Sequence, residues 1–300
     1  MDWLPAWCAA HLGSAPVGVL FERRSISEVV GLRLADGRDV VVKARIDDGR
    51  AASCLEAQTV LAERGFPCPR PITPLVAVGA LAVHAEDFLP GGEVLRGDTP
   101  DIAERYAAVF ARLMAELSVV TVPPPLPNPR WSRWDHTDTG LWPVIDFLDA
   151  RDQSVVPEHV TDSAERVRKR LLATDLPCVL GHADFEAQNL RWRDGEVWAV
   201  HDWDSLAWQP EAALVGAASG AFANDPPPSL VPVESSAAFL VAYQEFRGRA
   251  FTAEEQEIAW AASLWTALHN ARWEVLHGDA PVSLNAVREQ AAERLRRAAA

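Results

Sequence analysis

Gly181-His182-Ala183-Asp184-Phe185-Glu186-Ala187-Gln188-Asn189 carries a His-x-Asp followed, after four residues, by Asn. With 8 His, 21 Asp and 5 Asn in 300 residues, that spacing arises by chance on the order of 0.01 times. Thirteen residues after Asn189, Val200-His201-Asp202-Trp203-Asp204 brings a second acidic group. A short strand at 179–180, with a partner near 197–200 and the turn Arg193-Asp194-Gly195 between them, returns the second segment beside the first. Asp184, Asn189 and Asp202 are therefore expected in one cleft. His182 is read as orienting its loop by hydrogen bonding, His201 as a strand residue, and Asp204 as a helix N-cap.

These residue types suit phosphoryl transfer. Its transition state is loose, so the protein must position a hydroxyl and neutralise charge spreading over phosphate oxygens. A carboxylate takes the hydroxyl proton, and one amide and one carboxylate offer hard oxygen ligands to Mg2+. The same region also permits a different chemistry, a phosphoesterase whose two-metal site uses His182, Asp184, His201, Asp202 and Asp204.

Towards the amino terminus, Trp3, Leu4, Trp7 and Cys8 form a helical stripe, and then the period changes. Runs at 17–21, 28–34 and 40–46 are rich in β-branched residues, with the hairpin signal Asp36-Gly37 between the last two. Residues 50–64 return to helical spacing, closed by Gly65 and by Pro67, Pro69 and Pro71. Runs at 72–78 and 81–89 complete a five-stranded sheet carrying one long helix, and Pro90-Gly91-Gly92 interrupts the pattern. The remainder is mostly helical. Thr99-Pro100-Asp101 opens a helix to about 119, residues 157–174 are amphipathic, and three or four helices follow Pro210. The clearest of these spans 252–277, starting with Thr252, Glu254 and Glu255 and ending at Gly278.

Composition narrows the partners. The 28 Lys+Arg against 42 Asp+Glu leave a net charge of -14, a field that repels nucleic acid and anionic membranes. The most apolar stretch, 212–223, is too short to span a bilayer. The four cysteines form no CxxC pair, and Met1-Asp2-Trp3 places an acid where a leader needs a base, so a cytoplasmic protein is expected. Only Lys43 and Lys169 are lysines, so a lysine ending the third strand stands out in an arginine-rich chain.

The order of strand lysine (Lys43), helix glutamate (Glu56), break, His-x-Asp-x4-Asn and Asp202 resembles the protein-kinase-like superfamily, and more closely the aminoglycoside phosphotransferase and choline kinase family. Pro210 and a helix follow Asp202 too soon for a peptide-binding platform, and Phe88-Leu89-Pro90-Gly91-Gly92 is similar to that family's hinge. The resemblance implies a two-lobed α+β fold: a nucleotide lobe over 1–88 with a small antiparallel sheet and one long helix, a hinge at 89–92, and a larger helical lobe over 93–300. It implies Lys43 on the nucleotide phosphates with Glu56 orienting it, and hinge residues Asp87, Phe88 and Leu89 at the base. Asp184 becomes the catalytic base, and Asn189 with Asp202 the Mg2+ ligands, with ATP or GTP as donor.

There are departures from the family pattern. Arg23-Arg24-Ser25-Ile26-Ser27 replaces a glycine-rich loop, leaving Ser25 and Ser27 to contact phosphate. Leu214 stands where many members place an aspartate that braces the catalytic loop, and Glu211 is the nearest acid. Those two departures keep a third reading open, a non-catalytic nucleotide-binding protein. Trp265, His269, Trp273 and His277 recur every four residues, a spacing that usually marks core. Trp273 and Glu274, with Glu186 and Asp204, are also candidate contacts for a small cationic acceptor such as an amine-bearing antibiotic or metabolite, an aminoglycoside first. Oligomeric state is not legible in the chain.

Overall fold

A computed structural model describes residues 2–24, 27–225 and 227–300. Helix α1 (Leu4–Leu12) buries Leu4, Trp7, Cys8 and Leu12 and stops at Gly13. It covers one face of an antiparallel sheet made of β1 (Pro16–Arg24), β2 (Glu28–Leu34), β3 (Asp39–Ile46), β4 (Val76–Val78) and β5 (Leu81–Asp87), in the order β1-β2-β3-β5-β4. The five expected strands are present. The fourth is shorter than the apolar run implied, because Ile72 and Thr73 each donate separately to the Ala85 carbonyl and Pro74 has no N–H to give.

Strand alternation divides β3 between two environments. Val40, Val42 and Ala44 join Leu4 and Trp7 in an apolar cluster, which turns Val41, Lys43 and Arg45 to the opposite face. Helix α2 (Ala51–Glu63) links β3 to β4, yet its buried Cys54, Ala57 and Leu61 belong to the large core of the helical lobe. The small lobe is thus fastened to the large one through its own helix.

The link between lobes is short and latched. Gly91 and Gly92 adopt φ of 84° and 76°, and Glu93 then exchanges two 2.8 Å backbone bonds with Trp192. A Cβ on Gly92 would lie 2.9 Å from the Arg191 Cβ, so only glycine fits this crossing.

Helix α3 (Pro100–Leu117) forms the centre of the helical lobe, followed by the single turn α4 (Asp146–Asp149) and by α5 (Glu158–Leu172). Then come β6 (Cys178–His182), β7 (Leu190–Arg193), β8 (Glu196–Val200) and β9 (Leu206–Pro210). The expected pairing of 179–180 with 197–200 is not what forms. β6 pairs with β9 (Leu180 opposite Trp208), and β7 pairs with β8 around Asp194-Gly195 (Leu190 opposite Val200). The turn signal was sound, but the strand entering it is the four-residue Leu-Arg-Trp-Arg, whose mixed pattern hides it beside the apolar 179–180 run. Two ribbons therefore flank the catalytic-type loops. The His201 N–H donates to the Asn189 carbonyl (2.8 Å) and the Ala183 N–H to the Ser205 carbonyl (2.8 Å), so both loops still meet.

The chain ends with α6 (Glu211–Ala221), α7 (Val233–Arg247), α8 (Ala253–His277) and α9 (Val282–Arg297). A Thr252/Glu255 capping box starts α8, and Gly278 in the left-handed conformation ends it. Gly216 and Gly220 let α6 touch α8, since a Cβ there would sit 2.1 Å from the Ala259 carbonyl oxygen and 2.3 Å from that of Ser263. Among the described residues no helix is long and apolar enough to cross a membrane.

Candidate active site

The loop between β6 and β7 is held by its own side chains. His182 is buried, with Nε2 at 3.1 Å from the His201 carbonyl and Nδ1 accepting the Asp184 N–H at 3.2 Å. Burial holds its pKa below the ordinary value, and both ring nitrogens serve the backbone, as an orienting role requires. Asn189 Nδ2 donates to the carbonyl of Asp184 (2.9 Å) and to its carboxylate (2.8 Å), which leaves the amide oxygen for another partner. Burial, with Glu186 and Asp202 close by, pushes the Asp184 carboxyl well above the usual range.

Asp202 sits between β8 and β9 in the left-handed region (φ 60°, ψ 49°). Its Oδ2 accepts the Ser205 hydroxyl at 2.6 Å, and below it the buried Trp203 donates Nε1 to the Val200 carbonyl at 3.0 Å. The free amide oxygen of Asn189 and the Asp202 carboxylate are hard oxygen donors, the set that fits Mg2+. Among the described residues no group of three or more His, Cys, Asp and Glu is arranged to hold a metal, and His182 has no nitrogen to spare.

Glu186 is buried rather than open to solvent. It accepts from Asn224 (2.8 Å) and Gln188 (2.8 Å), and burial lifts its pKa to about 7 against the lowering pull of those two amides. Asn224 also accepts the Gln188 N–H (3.1 Å) and the Ser229 N–H (2.8 Å), so this residue just beyond α6 braces the catalytic-type loop. Leu214 packs under Gly181, where a Cβ would be 2.5 Å from its Cδ1. Glu211 is tied instead to Tyr243, Arg247 and Arg249. No spacing rule points to Asn224; it reaches the loop only through the tertiary fold.

Above the loops, Lys43 Nζ lies 3.1 Å from Glu86 Oε1 on β5, and Gln58 of α2 donates to Glu86 Oε2 at 2.8 Å. This corrects the expected partner, because Glu56 is exposed. Two residues along a helix turn a side chain to the far side, so Gln58 faces the lysine and Glu56 faces solvent. The register places Lys43 opposite His84, and Glu86, two residues on, shares its face. Burial alone would raise the Glu86 carboxyl, but Lys43 with His84 and Gln58 outweighs it and holds the group at about 2.

Asp204 also differs from expectation. It is not a helix cap, since Pro210 holds the cap position of α6 and Asp202 that of the turn 203–205; its carboxylate pairs with Arg45, two residues beyond Lys43 on β3. Ser27 lines the cavity and Ser25 lies outside the described residues. Asp87, Phe88 and Leu89 are half-buried at the end of the sheet; the Asp87 N–H is taken by Arg70 (2.9 Å), and the Phe88 ring lies 6.1 Å from Phe21.

A cavity of about 570 Å³ opens outward from Asp184, Glu186, Asp202 and Asp204. Its outer wall comes from Trp131, Ile145 and Phe147 and from the α8 stripe His269, Asn270 and Trp273. Trp273 stacks on His277 (4.3 Å) with Phe147 edge-on at 5.5 Å. Trp265 is core, against Trp142 at 5.3 Å. Glu274 does not reach the cavity; its two oxygens accept the N–H groups of Ser283 (2.7 Å) and Leu284 (2.9 Å) at the start of α9.

A strand lysine paired under a five-stranded sheet, a hinge, and a carboxylate–amide–carboxylate set between two ribbons define a two-lobed kinase-like phosphotransferase. The sequence profile of the phosphotransferase enzyme family matches residues 24–232, and the chain belongs to that family. The resemblance to aminoglycoside and choline kinases read from the motifs therefore holds. No protein of curated function matches the sequence significantly. Among solved structures, the amicoumacin kinase hAmiN in complex with AMP-PNP, Ca2+ and Ami superimposes with a TM-score of 0.70 at 13% identity, over 98% of this chain and 92% of that one. A microcompartment-associated aminopropanol kinase gives 0.62 at 15% identity, over 94% and 89%. The aminoglycoside phosphotransferase APH(4)-Ia, in a ternary complex with ADP and hygromycin B, gives 0.57 at 15% identity over 99% of both chains. At these identities the likeness is one of fold.

Proposed function

We propose that this protein transfers the γ-phosphate of ATP, with Mg2+, to a hydroxyl of a small amine-bearing molecule. The observation that carries the reading is the direct bond from Asn189 to the Asp184 carboxylate, with Asp202 beside it, at the inner end of a cavity large enough for a small molecule. Asp184 accepts the proton of the attacking hydroxyl, and Asn189 keeps that carboxylate aimed. Mg2+, held by the Asn189 amide oxygen and Asp202, supplies counter-charge to the phosphate oxygens when bound. Lys43, oriented by Glu86 and not by Glu56, meets the nucleotide phosphates. Phe88 and Leu89 receive the base.

One feature supports an amine on the acceptor: Trp131, Phe147 and Trp273 offer aromatic faces on the cavity wall, while its acids Asp48 and Asp204 are already paired with Arg50 and Arg45. That an ADP complex and an AMP-PNP complex occur among proteins of the same fold supports the nucleotide part. The test is an ATP-consumption screen over aminoglycosides, choline-like amines, short amino alcohols and sugars, with mass spectrometry of each acceptor. ADP formation that requires one acceptor class and gives its phosphate ester is the expected result. Phosphate release from a phosphoester without ATP would favour the phosphoesterase chemistry instead.

A further inference from the structure

We propose that Arg45 is a positioning residue: through Asp204 it sets Asp202, the metal-side aspartate, from across the cleft. The proposal rests on the nucleotide-site reading above and concerns how that site is kept in shape.

Strand alternation gives Arg45 the same face as Lys43, but the two cations have different partners. Lys43 is satisfied within its own sheet by Glu86, whereas Arg45 reaches out of the sheet to Asp204 in the turn 203–205. Arg45 is 9% exposed, and a guanidinium so far removed from water needs a charged partner to stay there. Asp204 is also held through its carbonyl, which accepts from Arg50 Nη1 at 3.4 Å and from Cys54 Sγ at 4.0 Å. Two residues earlier, Asp202 holds a left-handed backbone conformation, which a non-glycine residue keeps only when its surroundings over-determine it. From below, Ser205 and Trp203 supply part of that constraint. From above, Arg45 supplies the charged part of the rest, on the Asp204 carboxylate.

The pair also settles the electrostatics of the inner cleft. Asp184, Glu186, Asp202 and Asp204 all line one cavity, and Arg45 neutralises Asp204, which has no place in proton transfer or in the proposed metal pair. Without Arg45, Asp204 becomes an unpaired carboxylate next to three others, and the turn carrying Asp202 is free to move away from them. Two rival roles exist for these residues: Asp204 as a direct metal ligand, and Arg45 as a direct phosphate contact.

Fluorescence titration of mant-ADP, with excess Mg2+ and separately with EDTA, distinguishes the three on full-length wild type, Arg45→Met, Arg45→Lys, Asp204→Asn and the Arg45→Met/Asp204→Asn double variant, with thermal unfolding of each as the folding control. For a residue acting on a metal site through a neighbour, Arg45→Met and Asp204→Asn each weaken the Mg2+-dependent binding about tenfold and leave the EDTA arm within about twofold. The double variant is no worse than either single one, and Arg45→Lys recovers most of the loss. Equal loss in both arms for Arg45→Met, with Asp204→Asn unaffected, overturns the proposal in favour of a phosphate contact. Loss of the Mg2+ effect in Asp204→Asn alone overturns it in favour of a ligand. Should Arg45→Met fail to fold, Arg45→Lys and Asp204→Asn still separate these outcomes. Wild type that binds mant-ADP in neither arm overturns the nucleotide-site reading together with the proposal, a result distinct from a failure of Arg45 alone.

Discussion

In the inner half of the cleft each polar side chain is fastened to another part of the chain: His182 to two backbone groups, Asn189 to Asp184, Ser205 to Asp202, Glu186 to Asn224 and Gln188, Lys43 to Glu86. The outer half is built differently. It presents Trp131, Trp273 and an exposed Phe147, and buries His269 with no partner for its Nδ1 among the described residues. Folding itself fixes the geometry of the inner half, through local bonds such as Asn189 to Asp184 and Ser205 to Asp202 and through longer-range ones such as Lys43 to Glu86 and Glu186 to Asn224. The outer half is left with contact surface and unspent hydrogen-bonding capacity, which is what recognition of a variable acceptor needs.

That contrast can be broken by substitution. The largest effect is expected at Asp184: Asp184→Asn keeps the shape and the bond to Asn189 in reach, yet removes the proton acceptor, and should cost about a thousandfold in kcat with any acceptor. A loss that varied from one acceptor to the next would place Asp184 in recognition rather than in chemistry. Next comes the ion pair above it. Glu86→Gln strands Lys43 as a buried unpaired cation and should destabilise the fold by about 3–5 kcal/mol in denaturant unfolding. Glu56→Gln, on the exposed side of α2, should leave both stability and turnover unchanged.

Glu186 stands on the border between the halves and gives a pH signature. Its carboxyl is raised from 4.5 to about 7 in the fold, so between those pH values the native state holds a proton that the unfolded chain has released. Stability therefore falls as pH rises through that window, by about 3 kcal/mol for this one group. In metal-free protein, Glu186→Gln should flatten the decline in melting temperature between pH 5 and 8; an unchanged decline would mean that Glu186 is ionised throughout. The smallest effect belongs to the outer wall. Trp273→Ala should raise the acceptor KM about tenfold while leaving the ATP KM and the kcat of a saturated enzyme near wild type. A fall in kcat instead would extend the catalytic machinery into this wall.

The same contrast governs what was legible in the sequence. The inner loops were readable because Asp184 and Asn189 are five residues apart and Asp202 follows on the next ribbon, so local spacing carries the geometry. The sheet was readable from alternation, and the break after it from Pro90-Gly91-Gly92. Partners set by register or by tertiary approach were not. Glu86 shares the Lys43 face only because β5 lies antiparallel to β3 with His84 opposite Lys43, and family resemblance pointed to the helix instead. Asn224 and Arg45 reach the loops from 38 positions after Glu186 and from the other lobe. Trp273 and Glu274 are neighbours in sequence but about 100° apart on α8, so one lines the cavity and the other holds the start of α9. The wall from 129 to 147 has almost no regular structure, hence no period to read.

The most direct test of the account is to run the reaction in 18O-labelled water with ATP, Mg2+ and the acceptor found by screening, and to follow the label by mass spectrometry. Direct attack by an acceptor hydroxyl, with Asp184 taking its proton, gives a phosphorylated acceptor free of 18O and little labelled inorganic phosphate. Label in inorganic phosphate as the main product, with the acceptor unmodified, would show water as the nucleophile and contradict a kinase reading of this site.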